Sequence, residues 1–135
     1  MAQLAILNSS LQFLFVELLG RVGLGEGVLQ YATYEMSQMY TIDARILAAR
    51  EQKLLLENFQ ILANRGILPI NQEISSTDRK MLDQVIFNGL GLTQDERDAV
   101  YEAVINLVET RLKKASSLHP KDRQKRSMMG NEAAD

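Results

Sequence analysis

The sequence predicts a mostly α-helical chain: a small helical domain with a C-terminal αα-hairpin, at most a short extended segment near residues 29–42, and a disordered C-terminal tail. Three observations support this. Apolar residues recur at i, i+3, i+4 spacing through four long stretches, at 3–19, 44–64, 75–90 and 93–112. Glycines at 20, 66 and 91 punctuate those stretches, and only two prolines occur in 135 residues. The Tyr- and Thr-rich run at 29–43 reads as a short extended piece.

In residues 3–19 the apolar side chains are too dense for a half-exposed helix. Leu4, Leu7, Leu11, Leu14, Phe15 and Leu18 form one stripe, and Ile6, Phe13 and Val16 widen it. Such a helix must pack against something. It is expected to lie against a missing upstream body, a partner or a second copy. Ser9 or Ser10 is placed to cap a second helical segment, with a kink near Asn8. Gly20, free to take positive φ, ends the helix. Gly23, Gly25 and Gly27 then alternate through a loop. This is not the dinucleotide-binding GxGxxG, because no strand precedes it and no helix-opening context follows.

Residues 29–43 read as a short extended piece with one helical turn around 34–39. Helix returns over 44–64, with Asp43 as N-cap, Leu47, Leu54, Leu55, Asn58, Phe59 and Leu62 on one face, and Gly66 as the stop. Residues 67–74 form a connection. Ser75 with Asp78 resembles a capping box, and the helix behind it places Met81, Leu82, Val85, Ile86 and Leu90 on a face until Gly91 breaks it. Thr93-Gln94-Asp95-Glu96 is a better capping box. It opens a helix with Val100, Val104, Leu107, Val108 and Leu112 buried, acids in its first turn, and Arg111, Lys113 and Lys114 in its last. After His119-Pro120 the chain turns polar.

Composition excludes several kinds of chemistry. There is no cysteine, hence no disulfide and no thiolate ligand or nucleophile. A single histidine, His119, makes a zinc site or catalytic triad untenable. Residues 4–19 are apolar but have no basic leader and are interrupted by Glu17, which reads as exposed or paired at an interface. No stretch reaches the ~18 uncharged apolar residues of a membrane span, so a cytoplasmic protein is expected. Charge is uneven: residues 1–110 hold eight basic and fourteen acidic side chains, whereas residues 111–126 hold seven basic and one acidic. That basic stretch suits phosphate contact or is simply solvated.

The hairpin at 75–116 is no DNA-reading helix-turn-helix. A recognition helix needs Arg, Lys, Asn or Gln near its start, where this one has Asp95, Glu96 and Asp98. It reads as scaffold. Tyr31, Thr33, Tyr34, Gln38 and Tyr40, close to Arg21, form the most polar-aromatic stretch. Two readings stay open for it, contact with phosphates and base edges or cover for the core.

Two stretches carry a family resemblance. The first runs from Leu7-Asn8-Ser9-Ser10 through Gly20-Arg21, Leu24-Gly25-Glu26-Gly27 and Leu29 to Tyr34-Glu35-Met36. The second runs from Ser76-Thr77-Asp78-Arg79 through Leu82-Asp83, Leu90-Gly91-Leu92-Thr93, Glu96-Arg97, Val100-Tyr101 and Leu107-Val108 to Arg111-Leu112-Lys113-Lys114-Ala115. In this order they resemble the close of the specificity domain and the helical tail of N6-adenine DNA methyltransferases of type II and fused type IIG restriction–modification systems, the TaqI-like class. The resemblance implies S-adenosylmethionine-dependent methylation at a defined DNA site, with this region helping to set the site.

The family's catalytic Asn/Asp-Pro-Pro-Tyr/Phe segment and glycine-rich cofactor segment do not occur here, so no catalytic, cofactor or metal residue is carried over. Read this way, residues 1–43 are a remnant of the target-recognition domain, 44–118 a helical C-terminal domain and 119–135 the tail. Arg21, Tyr31, Thr33, Tyr34, Gln38, Lys113 and Lys114 are the candidate DNA contacts. The implied partners are DNA and a methyltransferase catalytic domain or subunit, with a homo-oligomer possible through the first helix. The alternative reading is a small helical protein–protein interaction or oligomerisation module.

Overall fold

The computed structural model describes residues 1–22 and 27–118. The described part is mostly helical, with seven α-helices and one two-stranded ribbon. The apolar opening is two helices, α1 (Ala2–Leu7) and α2 (Ser10–Leu19). Asn8 and Ser9 divide them by turning their side chains on the backbone. Asn8 Nδ2 donates to the Leu4 carbonyl at 2.9 Å, and Ser9, in extended conformation, accepts from the Gln12 N–H at 3.2 Å as the N-cap of α2. The serine cap is as expected, and the kink is a full break.

That break has a consequence for packing. The expected continuous stripe does not form, because α1 is no longer in register with α2. Ala2, Ala5 and Ile6 face inward while Leu4 and Leu7 stay 50% and 44% exposed. In α2, Leu11 and Gln12 are buried, Leu14 and Phe15 pack on the core, and Leu18 is 65% exposed. The opening helices are therefore largely sheltered by this chain itself, which corrects the expectation of a bare rod waiting for an upstream body.

Gly20 does not end α2 through positive φ; its φ is −69°. Glycine is required there by close approach, since a Cβ would lie 2.7 Å from Tyr31 Oη. Strands β1 (Arg21–Val22) and β2 (Leu29–Gln30) pair antiparallel, Arg21 opposite Gln30 and Val22 opposite Leu29. Helix α3 (Thr33–Ser37) follows, so the extended piece and helical turn occur as expected. Asp43 caps a 3₁₀ turn (Ala44–Ile46), accepting from the Arg45 N–H at 2.9 Å. The main helix, α4 (Ala49–Ala63), starts later than the sequence suggests, and its Leu54 is 46% exposed.

The segment after Gly66 is not merely a connection. Pro69 supplies a fixed φ that opens the short helix α5 (Ile70–Ser75). Helix α6 (Thr77–Leu90) starts from Ser76 rather than Ser75, so the expected box does not form, and the Asp78 carboxylate accepts the Arg79 N–H and Arg65 instead. Along α6, Leu82, Val85 and Ile86 are buried, whereas Met81 and Leu90 are 42% and 38% exposed. Gly91, at φ +69°, ends α6 in the left-handed region. Helix α7 (Gln94–Leu118) opens with the expected box, in which the Thr93 N–H and hydroxyl both donate to Glu96 Oε2. It continues past Lys114, so the basic residues lie before its final turn. On its face Val100 and Val104 are buried but Leu112 is 50% exposed, with Ala115 buried instead.

The hairpin helices meet edge to face at Phe87 and Tyr101, ring centroids 5.6 Å apart. Each then buries its length elsewhere: α6 lies along α4, α7 along α2, α1 on α4, and α5 touches both α6 and α7. Ile6, Leu55, Leu82, Ile86 and Phe87 sit in the core cluster almost without solvent contact, and Val104 is as fully buried outside it. Each contributes roughly 1.5–3 kcal/mol by leaving water. No helix among the described residues is long and apolar enough to cross a membrane. Gly23, Gly25 and the tail expected over 119–135 lie outside the described residues.

Candidate nucleic-acid interface and the buried junction behind it

The ribbon and α3 hold three of the seven candidate DNA contacts, Arg21, Thr33 and Tyr34, with Tyr31 between them and Gln38 capping the end of α3. Arg21 projects from β1 with a 62% exposed side chain, yet its guanidinium is forked onto Glu35, with Nε 2.7 Å from Oε1 and Nη2 3.1 Å from Oε2. Glu35 also accepts the Ala32 N–H at 2.7 Å, which fastens the start of α3. That bond and the Arg21 guanidinium hold its carboxyl below the usual range, against the opposing effect of burial. Tyr31 donates its hydroxyl to the Val16 carbonyl at 2.7 Å, closing the end of α2. Its phenol is raised by burial and by Glu17, with Arg111 opposing. Thr33, Tyr34 and Gln38 are exposed. The tyrosines thus divide between the two readings: Tyr31 covers the core, while Tyr34, 60% exposed, faces out.

Lys113 and Lys114 are exposed on α7, and Lys113 pairs with Glu109 at 3.2 Å. The ribbon reaches this end of α7 through Gly27. Its φ is +68°, and a Cβ there would stand 3.0 Å from that of Ala115. Arg111 fixes the approach, with Nη2 and Nε 2.6 and 3.0 Å from the Glu17 carboxylate and Nη1 on the Gly27 carbonyl. Glu17 is therefore paired within the chain. Among the described residues, no hydrogen bond or ion pair joins Lys113 or Lys114 to Arg21, Thr33, Tyr34 or Gln38.

A separate polar junction joins the α1–α2 break to helices α5 and α6. Arg79, 4% exposed, sends Nε and Nη2 to Glu73 Oε1 at 3.1 and 2.8 Å and Nη1 to the Asn8 carbonyl, so the orphan carbonyl at the end of α1 gains a donor. Its guanidinium carbon stands 4.8 Å from the Phe13 ring centroid. Arg65 forks onto Glu73 at 2.8 and 3.0 Å and also binds Asp78. These contacts, Arg65 foremost, hold Glu73 at about 2 and Asp78 well below the carboxylate range.

Asp83, fully buried, accepts the Ser10 N–H at 2.8 Å and the Ser10 hydroxyl at 2.6 Å. Burial raises its carboxyl to about 6, with Ser10, Arg79 and Tyr101 pulling the other way. The sequence places Arg79 and Asp83 in the second resembling stretch but assigns neither a structural role. A signal was present: at i and i+4, with Leu82 and Ile86, both fall on the face that the apolar pattern of α6 buries.

No family model, curated protein or solved structure was found to match the chain. Among the described residues no group of three His, Cys, Asp or Glu could hold a metal ion.

Proposed function

We propose that this chain is a fragment or subunit of a site-specific N6-adenine DNA methyltransferase of a restriction–modification system, contributing DNA recognition or scaffold. The supporting observation is how the two resembling stretches meet. They touch through Ser10 with Asp83, the Asn8 carbonyl with Arg79, and the Gly27 carbonyl with Arg111, so the order of the two stretches along the chain becomes one joined surface.

In this reading the first stretch presents Arg21, Thr33, Tyr34 and Gln38, the hairpin fixes its orientation, and Lys113 and Lys114 supply phosphate contact. S-adenosylmethionine and the methyl-transfer chemistry belong to a catalytic domain or subunit. The test is fluorescence anisotropy of a labelled duplex with the full chain at low and moderate salt. Salt-sensitive binding, weakened by Lys113→Glu with Lys114→Glu, is expected. The reading fails if no duplex binds at low salt and a purified adenine methyltransferase catalytic domain does not co-sediment.

A second reading, a helical interaction module, is favoured by one observation. Helices α4 and α6 leave a groove of about 550 Å³ with Leu54, Met81 and Val85 among Arg50, Gln84 and Asn88. Sedimentation with and without duplex at low and high salt separates the readings, since self-association through apolar surface persists at high salt while DNA contact does not.

A further inference from the structure

Asp83 is the carboxylate most completely removed from solvent among the described residues, and it joins parts of the chain far apart in sequence. It projects from α6, and both Ser10 donors sit on the first residue of α2. Tyr101 on α7 and Arg79 on its own helix favour the ionised form more weakly. Helix α2 faces it with Ser10 only, which does not titrate. Arg79 is not free to neutralise it, because three of its donor contacts go to Glu73 on α5 and to the Asn8 carbonyl. The Asp83 carboxylate therefore rests on neutral donors and the amino end of α2, which stabilise an anion less than water would.

Protonation removes the cost of burying that charge and keeps the contacts. Oδ1 still accepts the Ser10 N–H, and the new acid hydrogen can be donated to Ser10 Oγ, because a hydroxyl both donates and accepts. We propose that Asp83 is an acid latch: its carboxyl group holds the α1–α2 pair against α6 more tightly when protonated than when ionised, so pH controls how readily these helices detach.

The sign follows from linkage. A carboxyl that binds its proton more strongly docked than released contributes docking stability that is complete below the released-state value of 3.8 and is lost as pH rises through about 6. Between pH 5 and 7.5 this corresponds to about a tenfold rise in the opening equilibrium of α1 and α2. It is read by hydrogen exchange of their backbone amides, corrected for intrinsic exchange. His119 ordinarily titrates in the same interval. Asp83→Asn, which leaves it in place and preserves the shape of the group, is therefore the control and should give a flat profile.

Should Asp83→Asn fail to fold, carbon-13 titration of the Asp83 carboxyl in the unaltered chain decides instead. A midpoint near 6, moved upward by Ser10→Ala, supports the latch. A midpoint below about 4.5, the ordinary carboxylate range, overturns it. So does amide exchange in α1–α2 with the same pH dependence in Asp83→Asn as in the unaltered chain.

Discussion

Replacing Arg79 with methionine tests whether the polar junction holds the opening helices in place. The substitution keeps an unbranched apolar stem beside Phe13 and removes the guanidinium. Three contacts vanish, two to Glu73 Oε1 and one to the Asn8 carbonyl. Removing one partner of a buried pair typically costs about 3–5 kcal/mol, because the other charge is left uncompensated. Glu73 keeps Arg65 and the Leu68 N–H, so the lower end applies, about 3 kcal/mol. For a domain of this size that lowers Tm by roughly 12 °C.

Urea denaturation followed by far-UV circular dichroism at pH 7 gives the value directly. Arg45→Met is the comparison, since its bond to Asp43 joins side chains 90% and 45% exposed. It should change stability by less than about 0.5 kcal/mol. Glu73→Gln combined with Arg79→Met should cost less than the two single losses added, as expected for members of one network. An Arg79→Met variant as stable as Arg45→Met would refute the argument.

Other substitutions probe separate links. Gly89→Ala should destabilise by roughly 1–2 kcal/mol despite alanine's helix preference, because its Cβ would overlap the buried Leu47 side chain; a rise in the urea midpoint would contradict this packing. Thr93→Ala removes the α7 cap and should cost about 1 kcal/mol by the same assay. Arg111→Met should raise amide exchange in the β1–β2 ribbon by more than it does in α4, since Arg111 binds the Gly27 carbonyl; equal effects would show that it does not anchor the ribbon. Stability against pH should peak in mildly acid solution. Glu73, lowered from 4.5 to about 2, contributes stability present above pH 4.5 and lost as pH falls through about 2, while Asp83 contributes stability lost as pH rises through about 6. A plateau extending unchanged from pH 5 to 8 would count against the Asp83 assignment.

Helix existence was legible where a local rule sufficed. The Thr93 box, the Gly91 stop and the Ser9 cap each act through atoms a few residues apart. Inward faces were less legible, because they depend on the partner helix. Leu4 and Leu7 carry the right spacing, yet the break at Asn8 turns Ala5 and Ile6 inward. The Ser75–Asp78 box failed because α6 starts one residue later, from Ser76, where the Asp78 carboxylate accepts the Arg79 N–H and the distant Arg65 guanidinium instead of closing a box. For the candidate surface, Thr33, Tyr34, Gln38 and the lysines are exposed, whereas Tyr31 is tied to the Val16 carbonyl by a contact that no local pattern encodes.

The sequence distance spanned by the junctions shapes how the chain is made. Ser10 waits for Asp83, seventy-three positions later, and Glu17 waits for Arg111, ninety-four positions later. During synthesis the oily opening segment must leave the ribosome long before α6 and α7 exist to receive it. Contacts of such separation form late and slow folding, and apolar surface displayed meanwhile invites aggregation or chaperone capture. Expression that outpaces the arrival of the last helix should therefore send this chain into inclusion bodies more readily than its finished stability suggests.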